Sequence, residues 1–179
     1  MQEKSSFPTR IIHLYNSFTL KDVEGIIKKI DELNYEQGNI SLIIGSNGGS
    51  FTGAEKLYDR IRLSPNPVDG LVIGDCFSSA TIALLACQKK QATIYSRFLM
   101  HNLVMPINLN IGIDTILSDL SKRISEDLSL IKYDNEKMLN IYLEKLKNFD
   151  RNSLIEFLRK ERIFYFKEAQ KIGLINEII

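Results

Sequence analysis

The chain has 179 residues, 44% of them apolar and 25% charged, which fits one globular domain with a sizeable core and excludes a disordered or membrane-embedded chain. Its net charge of +1, with no basic block, argues against nucleic acid as a partner. Cys76 and Cys87 have no CxxC neighbour and there are only two histidines, so buried thiols in a reducing compartment are expected rather than a zinc site or a disulfide.

The first residues, Met1-Gln2-Glu3-Lys4-Ser5-Ser6, lack the apolar core of a signal peptide. No apolar run approaches the ~20 residues that span a bilayer, so no membrane partner and a cytoplasmic location are expected. Short apolar runs then alternate with helical spacing, the pattern of βαβ units in an α/β fold. Residues 11–15 read as a first strand. Leu20, Val23, Ile26, Ile27, Ile30 and Leu33 follow at helical spacing behind a Thr19 cap. Residues 40–44 form a second strand that runs into Gly45-Ser46-Asn47-Gly48-Gly49-Ser50. A helix over residues 52–62 stops at Ser64-Pro65-Asn66-Pro67, because proline cannot continue the ladder. Residues 71–73 are a third strand, which turns through Gly74-Asp75-Cys76-Phe77 into an apolar helix over residues 78–87. Residues 92–95 and 98–100 read as two further strands, the second leading into His101.

From Ile113, the positions Ile116, Leu117, Leu120, Ile124, Leu128, Ile131, Met138, Tyr142 and Leu146 keep helical register without Gly or Pro. One helix of roughly 35 residues is the expectation, about 50 Å long, with two helices broken near Asp134-Asn135 as the alternative. Its apolar stripe exceeds what a domain of this size covers, so either version predicts an arm packed on another subunit. A short helix over residues 152–160 and a segment through Gly173 close the chain.

Three features could carry chemistry. Gly48-Gly49 follows a strand, where glycine permits close backbone approach and an exposed amide could hold an oxyanion; a simple tight turn is the alternative. Ser78-Ser79 lies at a strand-to-helix junction, where first-turn amides favour developing negative charge; the alternative is an N-cap. His101 ends an apolar strand, and histidine's ordinary pKa suits taking and returning a serine proton, although a lone histidine beside apolar residues is more often a hydrogen-bonded structural residue. His13 lies mid-strand with no nucleophile nearby in sequence.

Their joint spacing is more informative than any one of them. Gly45-Ser46-Asn47-Gly48-Gly49-Ser50, then Ile73-Gly74 with Ser78 four residues on, then Arg97-Phe98-Leu99-Met100-His101, resembles the proteolytic subunit of Clp protease, the ClpP family, from about Arg10 to Ile175. The resemblance implies a crotonase-like spiral of βαβ units with a projecting helical arm. It implies one ClpP-like domain over residues 1–179, with residues 1–9 as a tail, 10–105 and 151–179 as the head, and 106–150 as the arm. Carried over, the nucleophile is Ser78, the general base is His101 and the oxyanion amides belong to Gly49 and Ser79. The closing segment Glu161-Arg162-Ile163, Glu168-Ala169 and Gly173-Leu174-Ile175 is similar too, and sets Glu161 where the family carries an aspartate as third triad member. Asp150 is a second candidate acid.

Other departures are a serine at position 79 in place of methionine, expected to leave its own N–H unaffected, and Asn47 in place of proline. Residues 102–108 lack the family's glycine-rich stretch. Few residues precede the first strand, so the family's axial segment is expected to be missing, which counts against docking of an AAA+ unfoldase, a candidate partner. The resemblance implies a serine endopeptidase acting on peptides or unfolded polypeptides in stacked heptameric rings, of one chain or mixed with a related subunit. No metal or organic cofactor is called for, and ATP would belong to a partner. Two rivals are a catalytically impaired structural or regulatory ring subunit and a crotonase-superfamily acyl-CoA enzyme.

Overall fold

The computed structural model describes residues 10–104 and 117–179, beginning with β1 (Ile11–Phe18) and α1 (Leu20–Leu33). β1 alternates as a half-buried strand should: Ile12, Leu14 and Phe18 face the core while Ile11, His13 and Tyr15 face out. Thr19 caps α1 reciprocally. Its hydroxyl accepts the Asp22 N–H at 3.3 Å, and the Asp22 carboxylate accepts the Thr19 N–H at 2.8 Å. Val23 and Ile30, both fully buried, fasten α1 to the sheet, each worth about 1.5–3 kcal/mol of burial.

Two more strand–helix units follow, β2 (Ile40–Gly49) with α2 (Phe51–Arg62) and β3 (Val68–Phe77) with α3 (Ala80–Ala86), and then β4 (Lys90–Ala92) and β5 (Arg97–Leu99). The long α4 (Leu117–Lys145) leads to α5 (Arg151–Arg159), β6 (Ile163–Tyr165), α6 (Phe166–Lys171) and β7 (Glu177–Ile178). The sheet runs β1-β2-β3-β4-β7, parallel throughout. β3 forks it. Gly70–Val72 pairs with β4 while Asp75–Phe77 pairs with β5, and the turn between the halves falls at Gly74, whose φ of +85° favours a residue without Cβ. Arg97 holds the second branch by a two-pronged bond to Asp75, both contacts at 2.7 Å. β6 runs antiparallel on β5, backed by a Phe98–Phe164 stack with centroids 5.8 Å apart.

Alternation of short strands with crossover helices gave the fold class correctly, but several bounds differ. The third strand extends to Phe77, because its second half finds β5. The fourth strand is shifted toward the N-terminus: Thr93 and Ser96 close a turn through Ser96 N–H to Thr93 C=O at 3.0 Å, leaving Ile94 and Tyr95 exposed. The helix expected from residue 78 starts at Ala80. The arm is one continuous helix across Asp134-Asn135, about 44 Å long over its 29 residues. Its expected first positions, Ile113 and Ile116, lie outside the described residues, as do residues 1–9.

The arm's two ends differ. Met138, Leu139, Tyr142 and Leu146 are buried against the head, whereas Leu128, Leu130 and Tyr133 are 54%, 53% and 62% exposed. Cys76 and Cys87 are free, buried thiols. No helix among the described residues is long and apolar enough to cross a membrane.

Candidate active site

Because β2, β3 and β5 are parallel, their carboxyl ends open on one edge, the usual place for a ligand in an α/β sheet. Gly48-Gly49 ends β2, Ser78 is the first residue past β3, and His101 is the second past β5. Ser78 has φ of +54°, a left-handed conformation that costs a non-glycine residue about 1–3 kcal/mol and persists only where its surroundings impose it. Those surroundings are specific. The Ser78 N–H donates to Leu99 C=O at 2.8 Å; its carbonyl accepts the Thr81 N–H at 3.0 Å and the Thr81 hydroxyl at 2.6 Å. Thr81 has a single hydroxyl proton, so in its 2.8 Å bond with Tyr142 the tyrosine hydroxyl must donate. A buried chain of hydrogen bonds thus runs from the arm, through Thr81, to the turn that carries Ser78. Burial also drives the Tyr142 phenol well above its ordinary pKa.

His101 is half-buried, with Nδ1 2.6 Å from the Asn102 carbonyl oxygen. A carbonyl only accepts, so Nδ1 carries the proton and Nε2 is left as the basic nitrogen. The segment after it is pinned to the arm by Leu103 N–H donating to Asn135 Oδ1 at 2.9 Å. Ser78 and His101 share one cavity of about 270 Å³, whose wall includes Gly49, Phe51, Leu130 and Asp134. The Asp134 charge there is met by Lys137 at 3.0 Å, which also binds Glu55 at 2.8 Å.

The two amides expected to face an oxyanion are in different states. Among the described residues the Ser79 N–H donates to no protein acceptor. The Gly49 N–H donates to Ser79 Oγ at 2.8 Å, and that hydroxyl donates back to the Gly49 carbonyl at 3.1 Å. The Ser79 side chain makes no cap bond to α3. The substitution at position 79 therefore leaves its own N–H open, as expected, while its hydroxyl reaches the other amide, which the sequence reading missed. The only signal was the hydroxyl itself, at a position where an apolar side chain was expected. Glycine at 49 has a steric cause, since a Cβ there would lie 2.0 Å from the Phe18 carbonyl oxygen.

The candidate acids fare differently. β5 and β6 pair Arg97 with Tyr165, Phe98 with Phe164 and Leu99 with Ile163; two residues further, the same register sets His101 opposite Glu161. The ladder ends first, however. Glu161 has φ of +43° and is exposed, and no hydrogen bond joins it to His101 among the described residues. Asp150 is committed to α5, whose cap it forms by accepting the Ser153 N–H at 2.8 Å. That backbone bond holds its carboxyl below the usual range. His13 stands on the outer face of β1, its ring 4.9 Å from that of Tyr15, and is not part of the cavity wall.

A forked parallel sheet with a long helical arm across the carboxyl edge of its strands defines the ClpP-like, crotonase-like fold. A point mutant of ClpP1 from Listeria monocytogenes shares it, with a TM-score of 0.79 over 96% of this chain and 91% of that one at 19% identity. The chain belongs to the Clp protease family, whose model matches residues 3–179. It is 29% identical over 143 residues to an ATP-dependent Clp protease proteolytic subunit 2 of Frankia casuarinae, an alignment covering 79% of this chain and 61% of that protein. With the ATP-dependent Clp protease proteolytic subunit of Borreliella afzelii it shares 26% identity over 174 residues, covering 95% of this chain and 83% of that one.

Proposed function

We propose that the chain is a serine endopeptidase subunit of a self-compartmentalising Clp-type protease, cleaving peptides or unfolded polypeptides in the cytoplasm. The observation that carries this reading is the meeting of Ser78, on a strained turn, and His101 at one cavity whose wall also includes Gly49. Ser78 Oγ attacks the scissile carbonyl carbon as its proton passes to His101 Nε2, and the carbonyl π pair becomes an oxyanion facing the Ser79 and Gly49 amides. Collapse of the intermediate expels the amine, which takes the proton from His101; water then hydrolyses the acyl-enzyme by the same route. The Asn102 carbonyl supplies the tautomer selection that a third triad member normally provides. Glu161, next in the β5–β6 register past the end of the ladder, enters as a supporting carboxylate that would stabilise the imidazolium once brought to His101.

The exposed Leu128, Leu130 and Tyr133 on the arm support assembly through residues 106–150, with residues 10–105 and 151–179 as the head. Stacked heptameric rings, of this chain alone or mixed with a related subunit, are the expected form, with an AAA+ unfoldase as a candidate partner. A second reading, a ring member without catalysis, is favoured by the engaged Gly49 amide and the separation of Glu161 from His101. Hydrolysis of a fluorogenic peptide by wild type, Ser78→Ala and His101→Ala, with sedimentation of each, separates the two. Turnover lost in both variants at unchanged particle size supports the peptidase. Turnover that survives Ser78→Ala, or that is absent from assembled wild type, refutes it.

A further inference from the structure

Both polar groups of the Gly49 residue are taken by one hydroxyl. Gly49 N–H donates to Ser79 Oγ at 2.8 Å, and Ser79 Oγ–H donates to Gly49 C=O at 3.1 Å. The hydroxyl belongs to a residue only 3% exposed, whereas Gly49 itself lies at the surface. The neighbouring amides are held elsewhere: Ser50 N–H donates to Phe18 C=O at 3.0 Å, and Gly48 N–H to Ser46 Oγ at 3.1 Å. Gly49 therefore bears the one amide of this turn whose acceptor is a side chain lying directly beside the nucleophile. An alanine or methionine at position 79 has no oxygen with which to accept it.

We infer that Ser79 is a positioning residue that latches the oxyanion site of the proposed reaction: its hydroxyl holds the Gly49 amide in the resting protein, and the amide reaches the oxyanion only when the hydroxyl lets go. The inference rests on Ser78 being the nucleophile. It adds that the resting site has one free oxyanion donor, the Ser79 N–H, and one that must first be released. Release exchanges one hydrogen bond for another. Gly49 N–H leaves Ser79 Oγ for the developing oxyanion, while Ser79 Oγ–H keeps the Gly49 carbonyl as its acceptor. The exchange becomes favourable as negative charge gathers, because a bond to an oxyanion is stronger than one to a neutral hydroxyl.

The test compares wild type, Ser79→Ala and Ser79→Cys, full chain and assembled, by two measurements. Amide hydrogen exchange over the peptide containing Gly49 reads the latch itself. The rate of covalent labelling by a fluorophosphonate reads its effect on chemistry: the Ser78 Oγ–P bond forms, fluoride leaves, and the serine proton passes to His101. Ser79→Ala should exchange faster at Gly49 and label roughly fivefold faster, the weight of one ordinary net hydrogen bond. Ser79→Cys, a weaker acceptor of similar size, should fall between. Unchanged exchange in Ser79→Ala overturns the latch. So does faster exchange with unchanged or slower labelling, since the freed amide would then not limit the reaction. Ser78→Ala provides the control that separates the two claims. If it labels like wild type, the catalytic reading falls, while Gly49 exchange still decides whether the hydroxyl holds the amide.

Discussion

Replacing Tyr142 by Phe removes one hydroxyl from a fully buried side chain and changes almost nothing else in shape. That hydroxyl donates to Thr81 Oγ1 at 2.8 Å, and Thr81 in turn donates to the Ser78 carbonyl at 2.6 Å. Thr81 is also fully buried, so no water replaces the lost donor, and a loss of about 1–3 kcal/mol is expected. For a chain of this size, a loss near the middle of that range lowers the melting temperature by roughly 4–8 °C. Thr81→Val alone costs more, because it strands the tyrosine donor and also takes one of the two donors to the Ser78 carbonyl, which keeps only the backbone N–H of residue 81. In the double variant the stranded tyrosine hydroxyl is gone as well, so the two losses should fall short of additive by about 1 kcal/mol. Urea unfolding of all four proteins at one fixed chain concentration measures the cycle, the concentration being held because subunit association shifts apparent stability. Additivity within about 0.3–0.5 kcal/mol, or a Tyr142→Phe protein as stable as wild type, would refute the claim that the arm is wired to the Ser78 turn through these hydroxyls.

Three further outcomes follow from other residues. Asp150→Ala should cost about 1 kcal/mol through loss of the α5 cap yet leave peptide turnover intact; a collapse of turnover at normal stability would make Asp150 the acid instead. Glu161→Gln should lower kcat less than about tenfold, because Asn102 already fixes the His101 tautomer, whereas a loss near the ~10⁴-fold of a removed triad acid would make Glu161 indispensable. Burial pushes the Cys87 thiol from 9.0 up to about 12 and Cys76 higher still, so both stay protonated in the fold after their unfolded counterparts ionise. Their contribution is intact below pH 9 and falls as pH rises from there toward about 12. The urea midpoint should therefore drop across that window, and Cys76→Ala/Cys87→Ala should flatten the drop; equal slopes in both proteins would refute it.

Local chemistry was legible in the sequence. Thr19 announced the start of α1, the proline pair at 65 and 67 the end of α2, and unbroken apolar spacing through Asp134-Asn135 the continuity of α4. The edge that gathers Gly49, Ser78 and His101 was legible too, since residues ending successive parallel strands share one side of a sheet. What escaped was set by contacts distant in sequence. The fork of β3 depends on β5 finding Asp75–Phe77, which converts an expected short strand into ten residues. Ser78 was expected to open or cap a helix, but Leu99 and Thr81 hold it in a left-handed turn that displaces the helix start to Ala80. Asp150 was weighed as a catalytic acid because the interval from His101 to Glu161 is longer than the family's; in the fold its carboxylate caps α5. Glu161 illustrates the reverse case. Sequence order and sheet register both set it opposite His101, yet the β5–β6 ladder stops at Leu99 and Ile163 and Glu161 takes a left-handed turn before β6.

Intact-mass and peptide mapping of assembled protein treated with a fluorophosphonate addresses the nucleophile most directly. One adduct per chain, on Ser78, formed by wild type and all but abolished by His101→Ala, is the predicted result. A protein that assembles yet takes no adduct, or takes it on a serine other than Ser78, would contradict the assignment of this edge of the sheet as a peptidase site.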